Sequence, residues 1–477
     1  MSTAEMLVST AQNLPRLLQM QRDSFMQGAP TYDERMRALA TLRDSLRTHQ
    51  EELLRAVSED FGGRAREETL MLELFPLFDQ IQHARSHLRS WMKRRWVRSS
   101  WFLLPSRAFH QYQPLGVVGV IGAWNYQVYL TLGPAVDAIT AGNHVMLKPS
   151  EIAPRSAEVI ARIVADCFPP EYVTCVTGGP EVASAFASLP FDHLFFTGST
   201  RVGRMVMQAA AANLTPVTLE LGGKCPAILH ESYPMETAVH RIVSGKLFNA
   251  GQTCVAPDYV LLPEGKEAEF EARVRRRAAS LYPELKENPD YTRIVSHRHF
   301  ERLSGLVADA RAKGARLVEL ASAEQGSLDD KVFVPTLVFN PTDAMGVMQE
   351  EIFGPILPVV TYRTLDEAVA YVNSRPRPLA LYYFDEDMSR INHVLERTMS
   401  GGVTLNDCIY HLAQHNLPFG GVGPSGMGHY HGFDGFVTFS KKRAVMLQRR
   451  FSSMAVMRPP YKNRRRLFES LLKMALR

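Results

Sequence analysis

Hydrophobic residues recur in two different patterns, which divide the chain into a helical beginning and a longer alternating part. Up to residue 95, apolar positions such as Leu39, Leu42 and Leu46 return at helical spacing among Arg and Glu. From Pro114 onward, short apolar runs are followed by Gly-containing loops and then by amphipathic stretches. The first part is therefore predicted to be helical, and the second to alternate strands with helices.

Four apolar runs between residues 115 and 196 have the character of buried parallel strands, because they are apolar throughout and bounded by turn residues. They are 115–121, 144–147, 172–176 and 193–196. One helix is predicted to begin at Pro154 and another to end at Ala212. This repetition predicts an α/β fold with a doubly wound, Rossmann-like sheet that binds a nucleotide at the carboxyl ends of its strands.

A second α/β region follows residue 219, with predicted helices at 237–247, 267–281 and 366–372 and a strand at 332–338. The segment Trp91–Tyr112 combines three tryptophans with several arginines. Base stacking on these aromatic rings is one interpretation, and a strand hairpin that covers a hydrophobic surface or a subunit contact is the other. The second interpretation is the more common one for such segments.

Composition narrows the class of protein. A chain of 477 residues with 45% hydrophobic and 22% charged residues fits a soluble protein of two or three domains. The net charge of +5 is mild and does not indicate a nucleic-acid-binding protein. Five widely spaced cysteines argue against a disulfide framework and a structural zinc site, and favour a cytoplasmic setting. The N-terminal segment around Glu5 has no signal-peptide pattern, and no apolar stretch is long enough to span a membrane.

Cys254 and Glu220 have settings that suit covalent catalysis. A thiol after Gly251 and a carboxylate before Gly222 fit a reaction in which sulfur captures a substrate and a base later releases it. Both residues also have an ordinary interpretation. A lone cysteine is commonly a small buried hydrophobic residue, and Glu220 also fits a structural ion pair with Lys224.

Other polar groups follow the predicted strands. Asn125 fits either a donor to an oxyanion or a turn residue. Gly198–Gly203 lies where backbone N–H groups can hold a pyrophosphate, although its spacing differs from the dinucleotide fingerprint. Lys148 fits a ribose contact or a solvated strand end. Glu351 and Phe353 fit contacts with a ribose and a ring, or a helix end followed by a loop.

Taken in order, these motifs resemble the aldehyde dehydrogenase superfamily over nearly the whole chain. The motifs are the strand-turn ending at Asn125, Leu147–Glu151, Phe196–Thr200, Leu219–Lys224, Gly251–Cys254, Glu351–Pro355 and Pro418–Gly423. Segments 254–259 and 425–432 are similar to the class 3 branch. Segments 423–426, 432–436 and 459–461 are most similar to the bacterial coniferyl aldehyde dehydrogenases.

The resemblance implies a mechanism and a cofactor. Cys254 would attack the aldehyde, Asn125 and the Cys254 N–H would hold the oxyanion, and Glu220 would activate the water that hydrolyses the thioester. The implied cofactor residues are Lys148 and Glu151 at the adenosine ribose, Gly198, Ser199, Val202 and Gly203 along the pyrophosphate, and Glu351 and Phe353 beside the nicotinamide. NAD is expected, because a carboxylate at position 151 would repel a 2′-phosphate, and NADP is the alternative. No metal site is expected.

The resemblance also implies three structural parts and a cytoplasmic homodimer. The parts are a NAD(P)-binding domain (1–93 and 113–220), a catalytic domain (221–415) and bridging segments for oligomerisation (94–112 and 416–477). The segment Arg464–Arg477 is too short and too charged to span a membrane, while its peripheral contact with a membrane stays open.

The expected reaction is oxidation of an aromatic aldehyde, such as coniferaldehyde to ferulate. A medium- or long-chain aliphatic aldehyde is the alternative, because Trp124, Tyr126, Tyr129 and Phe419 suit a tunnel for either. A cysteine hydrolase or acyltransferase would leave the nucleotide motifs unexplained, and coenzyme A-dependent relatives usually lack the base. A non-enzymatic protein on this fold would be expected to lose one of the three catalytic residues.

Overall fold

The computed structural model describes residues 11–476, whose strands form three β-sheets. The strands are β1 (Arg95–Val97), β2 (Arg107–Pro114), β3 (Val117–Ile121), β4 (His144–Lys148), β5 (Val173–Cys175), β6 (His193–Thr197), β7 (Val217–Glu220), β8 (Pro226–Leu229), β9 (Tyr259–Pro263), β10 (Arg316–Glu319), β11 (Thr336–Phe339), β12 (Ile356–Tyr362), β13 (Ala380–Phe384), β14 (Gly402–Leu405), β15 (Gly426–Met427) and β16 (Ser440–Leu447).

The α-helices alternate with these strands after an N-terminal helical region. They are α1 (Leu14–Met26), α2 (Tyr32–Thr48), α3 (Gln50–Phe61), α4 (Arg66–Thr69), α5 (Phe75–Trp91), α6 (Gln127–Ala141), α7 (Pro154–Cys167), α8 (Pro180–Ala187), α9 (Thr200–Ala211), α10 (Met235–Leu247), α11 (Glu267–Leu281), α12 (His297–Ala312), α13 (Gly346–Gln349), α14 (Leu365–Asn373), α15 (Met388–Arg397), α16 (Gly432–Thr438) and α17 (Arg465–Ala475). A π-helical turn, Leu70–Leu74, joins α4 to α5.

Two expectations concern residues outside the described range. The predicted lack of a signal peptide refers to the segment around Glu5, and the first predicted structural part begins at residue 1. Within residues 11–476, none of the helices combines the length and the apolar character needed to cross a membrane.

The first sheet contains five parallel strands in the order β7-β6-β3-β4-β5, and β15 extends it antiparallel beside β7. The chain builds β4 and β5 on one side of β3 and then returns to build β6 and β7 on the other side. All residues of β3 and β4 are buried, as expected for strands covered on both faces. The predicted doubly wound sheet is therefore confirmed, with its topological switch point between β3 and β6.

The helices of the first sheet begin and end for local reasons. α7 begins at Pro154, because proline's fixed φ and missing N–H suit the first helical turn. α6 ends at Gly142, whose left-handed φ of 92° closes the helix. The Ser199 hydroxyl accepts a hydrogen bond from the Val202 N–H and so caps α9. The loops between strands and helices consequently collect at the carboxyl edge of the sheet.

The second sheet has the order β10-β11-β12-β9-β8-β13-β14 and is parallel except for β10. The predicted helices at 237–247, 267–281 and 366–372 are confirmed as α10, α11 and α14. The strand predicted at 332–338 was placed too early, because β11 is Thr336–Phe339. Val332 instead forms an isolated bridge with Ser327, and Pro335, which lacks an N–H, directly precedes the strand.

The third sheet confirms the predicted hairpin but shifts its start. β1 and β2 are antiparallel, and β16 pairs with β2 from Ser440–Pro114 to Leu447–Arg107. Trp91 does not belong to the hairpin, since it is the last residue of α5 and is buried. Trp96 on β1 and Trp101 in the connection from β1 to β2 are 49% and 61% accessible, whereas Phe109 on β2 is buried.

The N-terminal region is helical and amphipathic, as predicted, and its helices pack against the first sheet. Leu39, Leu42 and Leu46 on α2 are buried, and Thr31 and Glu34 form a capping box at its start. α3 and α2 both contact α7 on one face of the sheet. The division of the chain into cofactor, catalytic and bridging parts at the predicted boundaries is still a prediction.

Candidate active site

A cleft of about 640 Å³ opens at the switch point of the first sheet, beyond the carboxyl ends of β3, β4, β6 and β7. Segments of the second α/β region, at 298–302 and 351–353, close its other side. All predicted site residues except Gly203 line this cleft: Asn125, Lys148, Glu151, Gly198, Ser199, Val202, Glu220, Cys254, Glu351 and Phe353. Residues far apart in the sequence therefore share one site.

Cys254 is the cysteine that faces the cleft, and a left-handed turn before it directs the chain there. φ is 52° at Asn249, 50° at Ala250 and 75° at Gly251. A Cβ atom on Gly251 would lie 2.4 Å from the carbonyl oxygen of Gly354, so this position requires glycine. This tight turn places the Cys254 thiol in the cleft, five residues before β9 of the second sheet begins.

The Cys254 thiol has a high pKa in this state. Burial, and after it the carboxyl groups of Glu351 and Glu220, raise the pKa to about 12, whereas hydrogen bonds from the N–H groups of Cys254 and Val255 lower it. The sulfur is therefore a protonated thiol at neutral pH. Ionisation requires a base that takes the proton or a positive charge brought into the cleft.

Glu220 ends β7 with its carboxyl group enclosed. The side chain is buried, and neither carboxyl oxygen has a hydrogen-bond partner among the described residues. Burial raises the pKa of Glu220 well above its usual value. A buried carboxyl group without a hydrogen-bond partner is unfavourable for stability, but a raised pKa suits a general base.

The alternative ion pair between Glu220 and Lys224 is not formed. The Lys224 ammonium group binds Asp258 and the carbonyl oxygens of Val347 and Glu350. Lys224 thereby connects the first turn after β7 to the loop that carries Cys254, and Glu220 is left facing the cleft.

Asn125 follows β3 and is buried. Its side-chain Nδ2 donates to the carbonyl oxygen of Gln252, two residues before Cys254, over 3.1 Å. The Asn125 carbonyl oxygen accepts from Asn249 Nδ2 at 3.0 Å. Because an amide carries two N–H groups, one remains for a group bound in the cleft. The two loops that carry Asn125 and Cys254 are thus bonded directly to each other.

Lys148, Glu151 and Ser199 also line the cleft and are suited to bind hydroxyls and phosphates. Lys148 Nζ donates to Glu151 Oε2 at 3.2 Å and to the Pro149 carbonyl oxygen at 2.9 Å, so its charge is held at the end of β4. Ser199 stands at the N-terminus of α9, where N–H groups and the helix dipole favour an anion.

Glu351 lines the cleft close enough to Cys254 to raise the pKa of its thiol. A Cβ atom on Gly222 would be 2.0 Å from Glu351 Oε2, so glycine there lets the carboxyl group approach the backbone. Burial, with a smaller contribution from Asp258, raises the pKa of Glu351 to about 8, and the Gly223 N–H and Lys224 oppose this. Glu351 Oε1 has no hydrogen-bond partner among the described residues. This oxygen is available to a ligand hydroxyl.

His299 also lines the cleft, although the sequence did not single it out. It lies in the first turn of α12, where its Nδ1 is 2.8 Å from the Ser296 hydroxyl. The Trp124 ring centroid is 5.1 Å from that of His299 and 5.3 Å from that of Phe353. The local signal, a serine before a helical pattern, predicts a helix start but not a place in the cleft.

Gly203 does not line the cleft. It is buried in α9, and a Cβ atom there would lie 2.6 Å from Leu221 Cδ2. Its contribution in this structure is close packing of the helix against the end of β7, which keeps the helix N-terminus near the cleft.

Comparisons with known proteins agree on one family. A family model described as the aldehyde dehydrogenase family matches residues 12–445. A probable coniferyl aldehyde dehydrogenase of Pseudomonas aeruginosa is 49% identical over 450 residues, covering 94% of this chain and 94% of that protein. A coniferyl aldehyde dehydrogenase of a Pseudomonas species is 44% identical over 445 residues, covering 93% and 92%. Aldehyde dehydrogenase family 3 member A2 of Macaca fascicularis is 36% identical over 437 residues, covering 91% and 88%.

Solved structures show the same fold. The substrate-bound state of Staphylococcus aureus AldH has a TM-score of 0.91 and 36% identity, covering 96% of this chain and 99% of that chain. A Mycobacterium tuberculosis aldehyde dehydrogenase complexed with NAD+ has a TM-score of 0.82 and 26% identity, covering 92% and 90%.

Proposed function

The chain belongs to the aldehyde dehydrogenase family, and we propose that it oxidises an aromatic aldehyde, coniferaldehyde first, to the carboxylic acid with a nicotinamide cofactor. The relatives with 49% and 44% identity are named for coniferyl aldehyde, and a family 3 member also covers most of the chain. The predicted resemblance to this family, to its class 3 branch and to the coniferyl enzymes is confirmed.

One observation carries this proposal: a thiol, an enclosed carboxyl group and an amide line the same cleft as groups that suit a nucleotide. Cys254, Glu220 and Asn125 share a lining with Lys148 and Ser199. A cysteine hydrolase or acyltransferase needs the first three residues but has no use for the second two. A non-enzymatic protein would not require a buried carboxyl group without a partner.

The cleft fits a nicotinamide dinucleotide on two counts. Buried oxygens of Glu220 and Glu351 have no hydrogen-bond partner among the described residues, and the start of α9 favours phosphate. Lys148 and Glu151 would hold the adenosine ribose, and Gly198, Ser199 and Val202 would contact the pyrophosphate. Glu351 and Phe353 would hold the nicotinamide side. When bound, the oxidised cofactor supplies a positive charge and the acceptor of the substrate's hydride.

The chain's own residues divide the chemistry into two steps. The Cys254 sulfur, after loss of its proton, forms a bond to the aldehyde carbon, and the oxyanion accepts hydrogen bonds from Asn125 and from the Cys254 N–H. Loss of hydride from that carbon leaves a thioester. Glu220 then takes a proton from water, whose oxygen attacks the thioester and releases the carboxylic acid and the Cys254 thiolate.

NAD is proposed as the preferred cofactor, with NADP as the alternative. Glu151 lies in the cleft beside Lys148 and is partly exposed, with 38% of its side chain accessible. Its carboxylate suits the 2′-hydroxyl of NAD and would repel the 2′-phosphate of NADP, whereas Lys148 would favour that phosphate. Glu151 therefore decides the direction of the preference.

Coniferaldehyde is expected to be a better substrate than an alkanal of similar length, because the aromatic side chains of Trp124 and Phe353 line the cleft with Cys254. Tyr126 contacts the residue before Cys254, with its hydroxyl 2.7 Å from Thr253 Oγ1, whereas Tyr129 is buried against His431 and does not line the cleft. We expect a kcat/KM for coniferaldehyde about 10-fold or more above that for octanal, with benzaldehyde between them. Formation of NADH at limiting substrate measures the ranking.

The aliphatic alternative would be favoured if octanal matched or exceeded coniferaldehyde in that comparison. Absence of NADH with every aldehyde, together with hydrolysis of an activated ester, would instead support the hydrolase.

We also propose a cytoplasmic homodimer assembled through the third sheet. β16 is an edge strand with paired neighbours on one side only, and Met446 and Leu447 on it are about half exposed, at 48% and 46%. An unpaired strand edge with exposed apolar residues is suited to pairing with a second chain. The proposed bridging segments, 94–112 and 416–477, contain this sheet.

Peripheral membrane contact by the C-terminal helix is expected and can be separated from dimer formation. α17 is amphipathic, exposes Leu467, Leu472 and Met474, and carries Arg465 and Arg466 in its first turn. We expect Leu467→Glu with Leu472→Glu to lower binding to vesicles rich in anionic phosphatidylglycerol by about 10-fold or more.

Flotation with these vesicles measures binding, and sedimentation velocity measures the oligomer. The dimer should be unchanged in the variant, because β16 is intact. Equal flotation of both proteins would exclude membrane contact through α17, and dissociation to monomers would place this helix in the subunit contact instead.

A further inference from the structure

Arg64 is a buried cation that contacts the loop carrying Asn125. It lies between α3 and α4, and its side chain has no accessible surface. Its Nη1 donates to the carbonyl oxygen of Asn125 at 3.3 Å and to Glu73 Oε1 at 2.8 Å. The guanidinium carbon lies 4.8 Å from the centre of the Tyr126 ring. Arg64, from the helical N-terminal region, therefore contacts the backbone of the candidate oxyanion donor Asn125.

Glu73 completes the contact from the other side. This carboxyl group, fully buried in the π-helical turn, accepts hydrogen bonds at Oε2 from the N–H groups of Val128 at 2.8 Å and Tyr129 at 3.3 Å. These N–H groups belong to the first turn of α6, where the helix dipole favours a negative charge. Arg64 and Glu73 together thus bracket the five residues from Asn125 to Tyr129, which include the start of α6.

A second acid of the same segment holds the nucleophile loop. Glu68 accepts hydrogen bonds from the Asn249 N–H and the Thr292 hydroxyl, and its carboxyl oxygen lies 3.7 Å from Arg64 Nε. Asn249 in turn donates from its side chain to Asn125. Segment 64–73 therefore contacts both loops that meet at the site.

Stability alone does not explain the buried ion pair between Arg64 and Glu73. Nε and Nη2 of Arg64 make no hydrogen bond within the described residues, although they are buried. A buried pair of charges with unbonded donors is commonly no more stable than apolar packing of the same volume. Its geometry, by contrast, is directional, because one nitrogen joins a fixed carboxylate to a single backbone carbonyl.

We propose that Arg64 is a positioning residue that fixes Asn125, so that the side-chain amide of Asn125 is aimed at the oxyanion. This inference rests on the proposed function, in which Asn125 is the donor. Arg64 and Asn249 hold the Asn125 carbonyl oxygen, and Glu73 holds the helix that follows. The amide then enters the reaction without having to be ordered at each turnover.

The test is a mutant cycle between this pair and Asn125. Arg64→Met is combined with Glu73→Gln, because the introduced glutamine side chain keeps an acceptor for the α6 N–H groups and the double change removes both charges of the Arg64–Glu73 pair. Glu68 keeps its hydrogen bonds from Asn249 and Thr292. The readouts are the rate constant of the NADH burst with coniferaldehyde and, without cofactor, the hydrolysis of 4-nitrophenyl acetate, which passes through the same kind of oxyanion.

The double variant is expected to lower both rate constants by about 10- to 100-fold, with changes in KM and in the NAD dissociation constant below about 3-fold. Asn125→Ala should lower them by about 10²- to 10³-fold. In the Asn125→Ala background, the pair should have no further effect beyond about 3-fold, because the amide it positions is gone. Arg66→Met, which removes an exposed ion pair with Glu51, is the matched control and should match the wild type.

Multiplicative losses in the combined variant would overturn the positioning role, as would a double variant within twofold of the wild type. If Asn125→Ala itself keeps wild-type rates, Asn125 is not the oxyanion donor and the proposed function is wrong on that point. This result is distinct from a failure of the positioning role of Arg64, in which Asn125→Ala is slow but the effect of the pair does not depend on Asn125. Should the double variant not fold, Arg64→Lys provides the same cycle. The lysine keeps the charge beside Glu73 but not the planar fork, and a loss of about 3- to 10-fold that vanishes with Asn125→Ala is expected.

Discussion

Replacing Cys254 by alanine is expected to abolish NADH formation, with a loss of about 10⁴-fold or more in kcat. The thiol is the nucleophile of the proposed reaction, and it is the cysteine that lines the cleft. The hydroxyl of the adjacent Thr253 does not replace it, because that hydroxyl is hydrogen-bonded with Tyr126. The measurement is steady-state NADH formation from coniferaldehyde, together with fluorescence titration of NAD binding.

NAD binding should persist in this variant, because the proposed cofactor contacts come from other residues. The matched control is Cys167→Ala, which removes a partly buried thiol at the end of α7, away from the cleft. It should retain wild-type activity. Turnover by Cys254→Ala within about 10-fold of the wild type would rule out Cys254 as the nucleophile.

The second large effect is expected at Glu220. Glu220→Gln keeps the size of the side chain but removes the base, so steady-state turnover should fall by about 10²- to 10⁴-fold. The first turnover does not require this base for hydrolysis, and a burst of NADH equal to the enzyme concentration should remain. Stopped-flow absorbance separates the burst from the steady state. Loss of the burst itself would mean that Glu220 also removes the proton of Cys254.

The rate of deacylation should depend on pH through the protonation of Glu220. Because burial raises the pKa of Glu220 above its usual value, the carboxyl group is protonated and inactive as a base at low pH. Deacylation should therefore accelerate as pH rises and Glu220 loses its proton. The Glu220→Gln variant should lose this rise in rate with pH. The Glu396→Gln variant, which changes an exposed carboxylate on α15, should keep it. A rise that persists in Glu220→Gln would have to come from the titration of another group.

Much of the first sheet is predictable from local sequence, because its central strands are buried on both faces. An uninterrupted apolar run such as 144–147 has few other stable places in a soluble protein. Prolines and glycines such as Pro154 and Gly142 mark helix boundaries, and their effect depends only on neighbouring residues. The switch point then follows from strand order, and with it the edge at which Asn125 and Gly198 meet.

Features that depend on distant contacts are not visible in the sequence. Arg64 and Glu73 read as polar positions of an amphipathic region, yet both are buried against the loop that begins at Asn125. His299 enters the cleft only because α12 packs across from the first sheet. The start of β11 was misplaced for a related reason, since Val332 has strand character but bonds to Ser327 in a loop.

The most direct test of a covalent cysteine mechanism is to identify the intermediate. Glu220→Gln is mixed with coniferaldehyde and NAD, quenched in acid and digested, and the peptides are analysed by mass spectrometry. We expect a feruloyl thioester on the peptide that contains Cys254, formed only when NAD is present. A burst of NADH with Cys254 unmodified, or with the acyl group on another cysteine, would contradict the proposed mechanism.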